Sequence, residues 1–146
     1  MEEYHPTKNN FCISTNKLKL DINVVHNYLS TQSYWAKNIP INVVKKSIEG
    51  SICFGVYDND LQIGFARVIT DQATFAYLAD VFILENYRGQ GLSKWLMQTI
   101  LACPSLQGLR RFLLATKDAH GLYAQFGFVP LLHPERMMGL SQFNAY

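Results

Sequence analysis

The run Arg88-Gly89-Gln90-Gly91-Leu92-Ser93 places a fixed cation, two glycines and a hydroxyl where a long apolar stretch gives way to helical spacing. The first N–H groups of a helix have no intrahelical partner and lie at the positive end of its dipole, so such a turn stabilises an anion. Gly89 and Gly91 let the anion approach the amides, Arg88 adds a permanent charge, Ser93 a first-turn hydroxyl and Lys94 a second charge. The chemistry implied is phosphate or pyrophosphate binding, with a plain tight turn as the alternative for these residues alone. A dinucleotide fingerprint would need a small residue where Lys94 stands, and the Gly-Lys-Ser/Thr of a P-loop is absent.

Asp80 is the only charged residue between Thr74 and Leu84. A carboxylate in an apolar strand needs a partner or a purpose, so it is either a general base or the acceptor of a structural hydrogen bond. His120 lies one helical step before Tyr123, and the two could share a face and a proton path. His5, His26 and His133 have no convergent partner, and Cys12, Cys53 and Cys103 are scattered among apolar neighbours without a metal or disulfide spacing. No metal site is expected.

The elements that must position these groups follow from pattern. Phe11–Ser14 reads as a short strand, Asp21 as the cap of a helix to about Ser30, and the stretch after Pro40 as a second helix ended by Gly50. Ser51–Tyr57 and Leu61–Thr70 form an expected hairpin around Asp58-Asn59-Asp60. Thr74–Leu84 is apolar enough to suggest a central strand buried on both faces. A helix from Gly91 to Cys103, a strand at Arg111–Ala115, a short helix at Asp118–Gln125 and a turn at Phe126–Leu131 into a last strand or two complete the order.

With 146 residues, 49% of them hydrophobic, one compact domain spanning 1–146 is expected. A net charge of +2 with no basic run argues against nucleic acid, and no stretch reaches the roughly 20 apolar residues that span a bilayer. Neither nucleic acid nor a membrane is expected as partner, and the odd set of cysteines suits a cytoplasmic protein.

Val81 to Leu92 resembles the coenzyme A signature of the GCN5-related N-acetyltransferase (GNAT) superfamily, Arg/Gln-x-x-Gly-x-Gly/Ala, and Leu122-Tyr123-Ala124-Gln125-Phe126-Gly127-Phe128 resembles the family's later Leu-Tyr-x-x-x-Gly-Phe segment. Ser93 departs from Gly/Ala, and Thr116 stands where many members carry Asn. The resemblance covers about Ser51 to Leu131. It implies an α/β (α+β) fold with a central, mostly antiparallel mixed sheet flanked by helices and splayed at strands four and five. It implies acetyl-CoA as co-substrate and a primary amine of a small molecule or peptide as acceptor, attacking directly in a ternary complex. By the same resemblance the backbone of Val81, Phe82 and Ile83 holds the pantetheine arm and acetyl oxygen, the amides of Arg88, Gly89, Gln90, Gly91, Leu92 and Ser93 take the pyrophosphate, and Tyr123 is the general acid. A phenol with an ordinary pKa of ~10 is protonated at neutral pH and can donate to a leaving thiolate. Tyr28, Tyr34, Trp35, Arg67 and Tyr77 would line the acceptor pocket, and a homodimer is a further family expectation. The alternative is a non-catalytic acyl-CoA-binding module in which Tyr123 and Asp80 only pack.

Overall fold

The computed structural model describes residues 3–140 and 146. Its strands are β1 (Thr7–Lys8), β2 (Phe11–Ser14), β3 (Ile52–Asp58), β4 (Leu61–Thr70), β5 (Phe75–Ile83) and β6 (Arg111–Leu114). They lie side by side in chain order, antiparallel throughout except for the parallel pair β5 and β6. Helices α1 (Ile22–Thr31) and α2 (Ile41–Glu49) fall between β2 and β3, α3 (Leu92–Ala102) crosses from β5 to β6, and α4 (His120–Ala124) follows β6. This is the splayed, mostly antiparallel sheet expected for the fold class.

Local chemistry sets the element ends. The Asp21 carboxylate accepts from the N–H groups of Asn23 and Val24 and so starts α1, while Asn59, at φ 53, turns the β3–β4 hairpin in a conformation that Asn tolerates. Alternation along β3 divides the core. Ile52, Phe54 and Val56 pack with α3 residues Trp95, Leu96 and Ile100, whereas Cys53 joins Val25, Leu29, Val44 and Ile48 of α1 and α2 on the other face.

Two expectations fail. The strand buried along almost its whole length is β3, and β5 lies next to the edge with Tyr77, Ala79, Asp80 and Val81 half-buried. An apolar run reports burial without saying what covers it, and the middle of β5 borders a cleft. Nor does a strand follow from Phe126–Leu131 among the described residues, because the chain there is committed to ending α4. Gly127, at φ 94, donates its N–H to the Ala124 carbonyl and Phe128 donates to that of Tyr123, the paired bonds of a Schellman cap.

A bulge interrupts the β4–β5 ladder. Phe65 faces Phe82 and Arg67 faces Ala79, so β5 spends one more residue than β4 over this stretch. Asp80 lies within it and takes the left-handed conformation, φ 56, which carboxylate and amide side chains tolerate better than most.

Candidate active site

β6 pairs with β5 only from Phe75 to Leu78. Beyond that point no described strand covers this edge of β5, and the gap opens into a cleft of about 830 Å³. One wall is the Ala79–Ile83 edge and the other is the 114–119 segment after β6 with Leu122 and Tyr123 of α4. Tyr28, Gln32, Tyr34 and Trp35, from α1 and the loop after it, close a third side, and Arg88 and Ser93 mark the end towards α3.

At that end Gly89 and Gly91 both have φ 82, and a Cβ at either would meet nothing within 4 Å. Open space thus lies before the turn, and glycine is needed for its backbone conformation rather than for room. Gly91 caps α3 without a side-chain bond, which leaves the first-turn amides facing outwards. The Arg88 guanidinium folds back, Nε donating to the Ile83 carbonyl at 2.9 Å and Nη2 to the Tyr28 hydroxyl at 3.0 Å. Tyr28 in turn stacks on Phe82 with ring centroids 4.0 Å apart. Arg88 therefore ties the end of β5 to α1 while keeping its charge beside the turn.

At the opposite end the Asp80 carboxylate accepts from the Trp35 indole N–H through Oδ1 and from Arg67 Nε through Oδ2, both at 2.8 Å. Arg67 also donates from Nη1 to the Ser51 hydroxyl at 3.1 Å. Of the two readings of Asp80, the structural hydrogen bond is present. Tyr34 meets Trp35 edge-on at 5.1 Å, and its hydroxyl accepts the Lys117 backbone N–H at 2.8 Å, spanning the mouth of the cleft. The Lys117 ammonium rests over the Tyr34 ring.

Tyr123 is buried, its ring held edge-on by Phe128 at 6.1 Å. This is the apolar contact that a Schellman cap brings with it, between the residue after the glycine and the last turn of the helix. The Gly127-Phe128 pair thus seats the tyrosine. Burial first, and then the nearness of Tyr34 and Asp118, push the phenol up to about 12, so it stays a proton donor at neutral pH.

The cleft gathers Tyr34, Trp35, Tyr77, Asp80, Val81, Phe82, Ile83, Arg88, Ser93 and Tyr123 from the sequence-derived set. Gly89, Gln90, Gly91, Leu92 and Lys94 sit on the turn and helix beside it, and Arg67 stands behind Asp80, all outside the lining. His120 is exposed at the start of α4 and does not line the cleft, so its helical spacing from Tyr123 does not bring the two rings into one site. Sequence reasoning missed Gln32, Lys117 and Asp118, which carry no motif: Gln32 lines the cleft from the end of α1, and Lys117 and Asp118 from the segment that follows the short β6. Thr116 accepts the Ala119 N–H at 3.0 Å through Oγ1 and so fixes the entry to α4. No group of His, Cys, Asp and Glu able to hold a metal ion, and no helix long and apolar enough to cross a membrane, occurs among the described residues.

Residues 49–130 match the acetyltransferase (GNAT) domain family. A candidate acetyltransferase of Gibberella zeae is 30% identical over 141 residues, covering 82% of this chain and 78% of its own. Among solved structures, a candidate GNAT-family acetyltransferase of Xanthomonas campestris pv. campestris superposes with a TM-score of 0.90 at 50% identity, over 93% of this chain and 96% of that one. Naa50 of Arabidopsis thaliana, solved in complex with the bisubstrate analogue CoA-Ac-MVNAL, shares the fold with a TM-score of 0.59 at 20% identity, over 82% and 83% of the two chains.

Proposed function

Because the chain belongs to the GNAT acetyltransferase family, we propose that it moves an acetyl group from acetyl-CoA to a primary amine of a small molecule or peptide, by direct attack in a ternary complex. One observation carries the reading. The uncovered edge of β5 leads, through one short 3-10 turn at Glu85–Tyr87, to the left-handed glycine turn at the mouth of α3, and the buried Tyr123 phenol lines the same cleft.

In this reading the amides of residues 88–93 and the α3 dipole bind the pyrophosphate, and Lys94 adds charge from outside the cleft. The backbone of Val81, Phe82 and Ile83 takes the pantetheine arm as an added strand would be taken, and donates to the acetyl oxygen as charge develops there. The amine enters between Tyr34, Trp35 and Tyr77. Its nitrogen attacks the thioester carbonyl carbon, the C–S bond breaks, Tyr123 gives its proton to the departing sulfur, and the excess proton on nitrogen leaves to water. His120 has no part in this pathway. The ligand of Naa50, which joins coenzyme A through an acetyl group to a peptide, supports the order of the parts in a protein of the same fold.

The reading extends to one cytoplasmic catalytic domain that forms a homodimer. Leu132, Met138 and Leu140, exposed beyond the edge strand β6, support the second part. Sedimentation at the mass of a single 16.7 kDa chain would remove it.

Calorimetry against acetyl-CoA, NAD and ATP, followed by thiol release with a panel of primary amines, tests the function. Acetyl-CoA is expected to bind and at least one amine to release free coenzyme A. Binding of NAD or ATP with no heat from acetyl-CoA sinks the proposal.

A further inference from the structure

Asp80 is held from both sides by groups of the protein itself. It sits in a bulge with φ 56, its side chain is 9% exposed, and each carboxylate oxygen has its own donor at 2.8 Å. Both oxygens are thus already engaged by donors of the protein itself, in short charge-assisted bonds. One donor, Arg67, is itself 15% exposed and braced on Ser51, so it stabilises the charge from behind. The other is Trp35, 40% exposed on the loop between α1 and α2.

That loop has an anchor on each side of the cleft. Ser33 fixes its local turn by accepting the Ala36 N–H at 3.0 Å, Trp35 hangs inwards from Asp80, and Tyr34 reaches outwards to the Lys117 N–H. The bulge that sets Asp80 immediately precedes Val81–Ile83, the edge assigned above to the coenzyme arm.

We propose that Asp80 is a positioning residue for the acceptor: through Trp35 it fixes the Tyr34–Trp35 wall against the strand that carries the thioester, and Arg67 balances its charge. This rests on the acetyltransfer reading above and replaces the general-base role for Asp80. Acceptor recognition and coenzyme placement thereby share one carboxylate.

Asp80→Asn and Asp80→Ala separate the two roles. Asn tolerates positive φ and keeps an oxygen for the indole, but it cannot take a proton from an ammonium. Trp35 emission is read in each protein as the difference from its Trp35→Phe counterpart, with acrylamide as quencher and no ligand present. Phenethylamine, a primary amine on a flat apolar scaffold, is the probe acceptor. In Asp80→Ala, Trp35 quenching is expected to rise about twofold and the KM for the amine about tenfold, with acetyl-CoA affinity held within about threefold. Asp80→Asn is expected to recover most of both, and Trp35→Phe, which leaves the Arg67 pair intact, to raise the amine KM as Ala does.

Equal loss of kcat in the Asn and Ala variants with KM unchanged would make Asp80 the base and overturn the proposal, and so would Trp35 quenching that ignores Asp80. If the wild type fails to bind acetyl-CoA, the acetyltransfer reading falls by itself. The quenching comparison uses no coenzyme and still decides whether Asp80 holds the loop.

Discussion

Tyr123 owes its candidacy to being both buried and protonated. Desolvation disfavours the phenolate, and with the folded pKa raised to about 12 the proton is retained through the range in which an ordinary phenol, at ~10, would lose it. Tyr123→Phe should keep acetyl-CoA affinity while lowering kcat by about 100-fold or more, since a positioned acid typically contributes that much. The wild-type rate should hold through pH ~10 before any loss traceable to this group. An alkaline fall centred at the ordinary phenol value, or full turnover in the Phe variant, would take the acid role from Tyr123. The same physics makes the two buried thiols poor nucleophiles. Burial pushes Cys53 up to about 11 and raises Cys103 as well, so iodoacetamide at neutral pH should label the half-buried Cys12 first and Cys53 only on unfolding. Labelling of Cys53 in the native protein would reopen a route through an acetyl-cysteine.

At the scale of elements, the two motifs share one device, a left-handed glycine at a helix end. Gly91 starts α3 and Gly127 ends α4, and neither has a neighbour that a Cβ would touch. The cost of Ala at either position is therefore conformational, about 1–2 kcal/mol, or roughly 4 °C or more in Tm. The functional effects should differ. Gly91→Ala is expected to weaken acetyl-CoA binding, whereas Gly127→Ala is expected to loosen the Phe128 contact on Tyr123 and to lower kcat with coenzyme affinity kept. Calorimetry beside steady-state kinetics reads the split, and identical effects from both variants would count against separate roles for the two turns. These turns were legible because glycine, a capping pattern and helical spacing are local signals. The bulge at Asp80 was not, because it exists only through the pairing of β4 with β5, and nothing in the order Ala79-Asp80-Val81 marks an extra residue. The turn at Phe126–Leu131 was legible for the same local reason, whereas the strand expected after it does not form among the described residues.

In the molecule as a whole, the sheet separates two cores, and the site opens where β6 stops short of the far half of β5. Hydrophobic periodicity made the layers legible, whereas Gln32, Lys117 and Asp118 entered the cleft from three-dimensional arrangement alone. The cores also keep tyrosines out of water, which ties global stability to pH. Tyr57 is 2% exposed, lies over Gly55, has a hydroxyl with no hydrogen-bond partner among the described residues, and is raised well above the ordinary range chiefly by burial; Tyr123 is raised likewise. A folded pKa above the unfolded value means that the stabilising contribution is complete below pH ~10 and is lost as pH rises through the folded values. Unfolding midpoints in urea should therefore be insensitive to these tyrosines near neutral pH and fall above pH ~10. Tyr57→Phe removes a buried polar group that has no partner, keeps the ring over Gly55, and should stabilise the fold by about 1 kcal/mol at neutral pH while flattening part of the alkaline fall. A destabilised Phe variant would mean that the hydroxyl is solvated in the native state, and the alkaline fall would then belong to Tyr123 and to the ionisation of other groups.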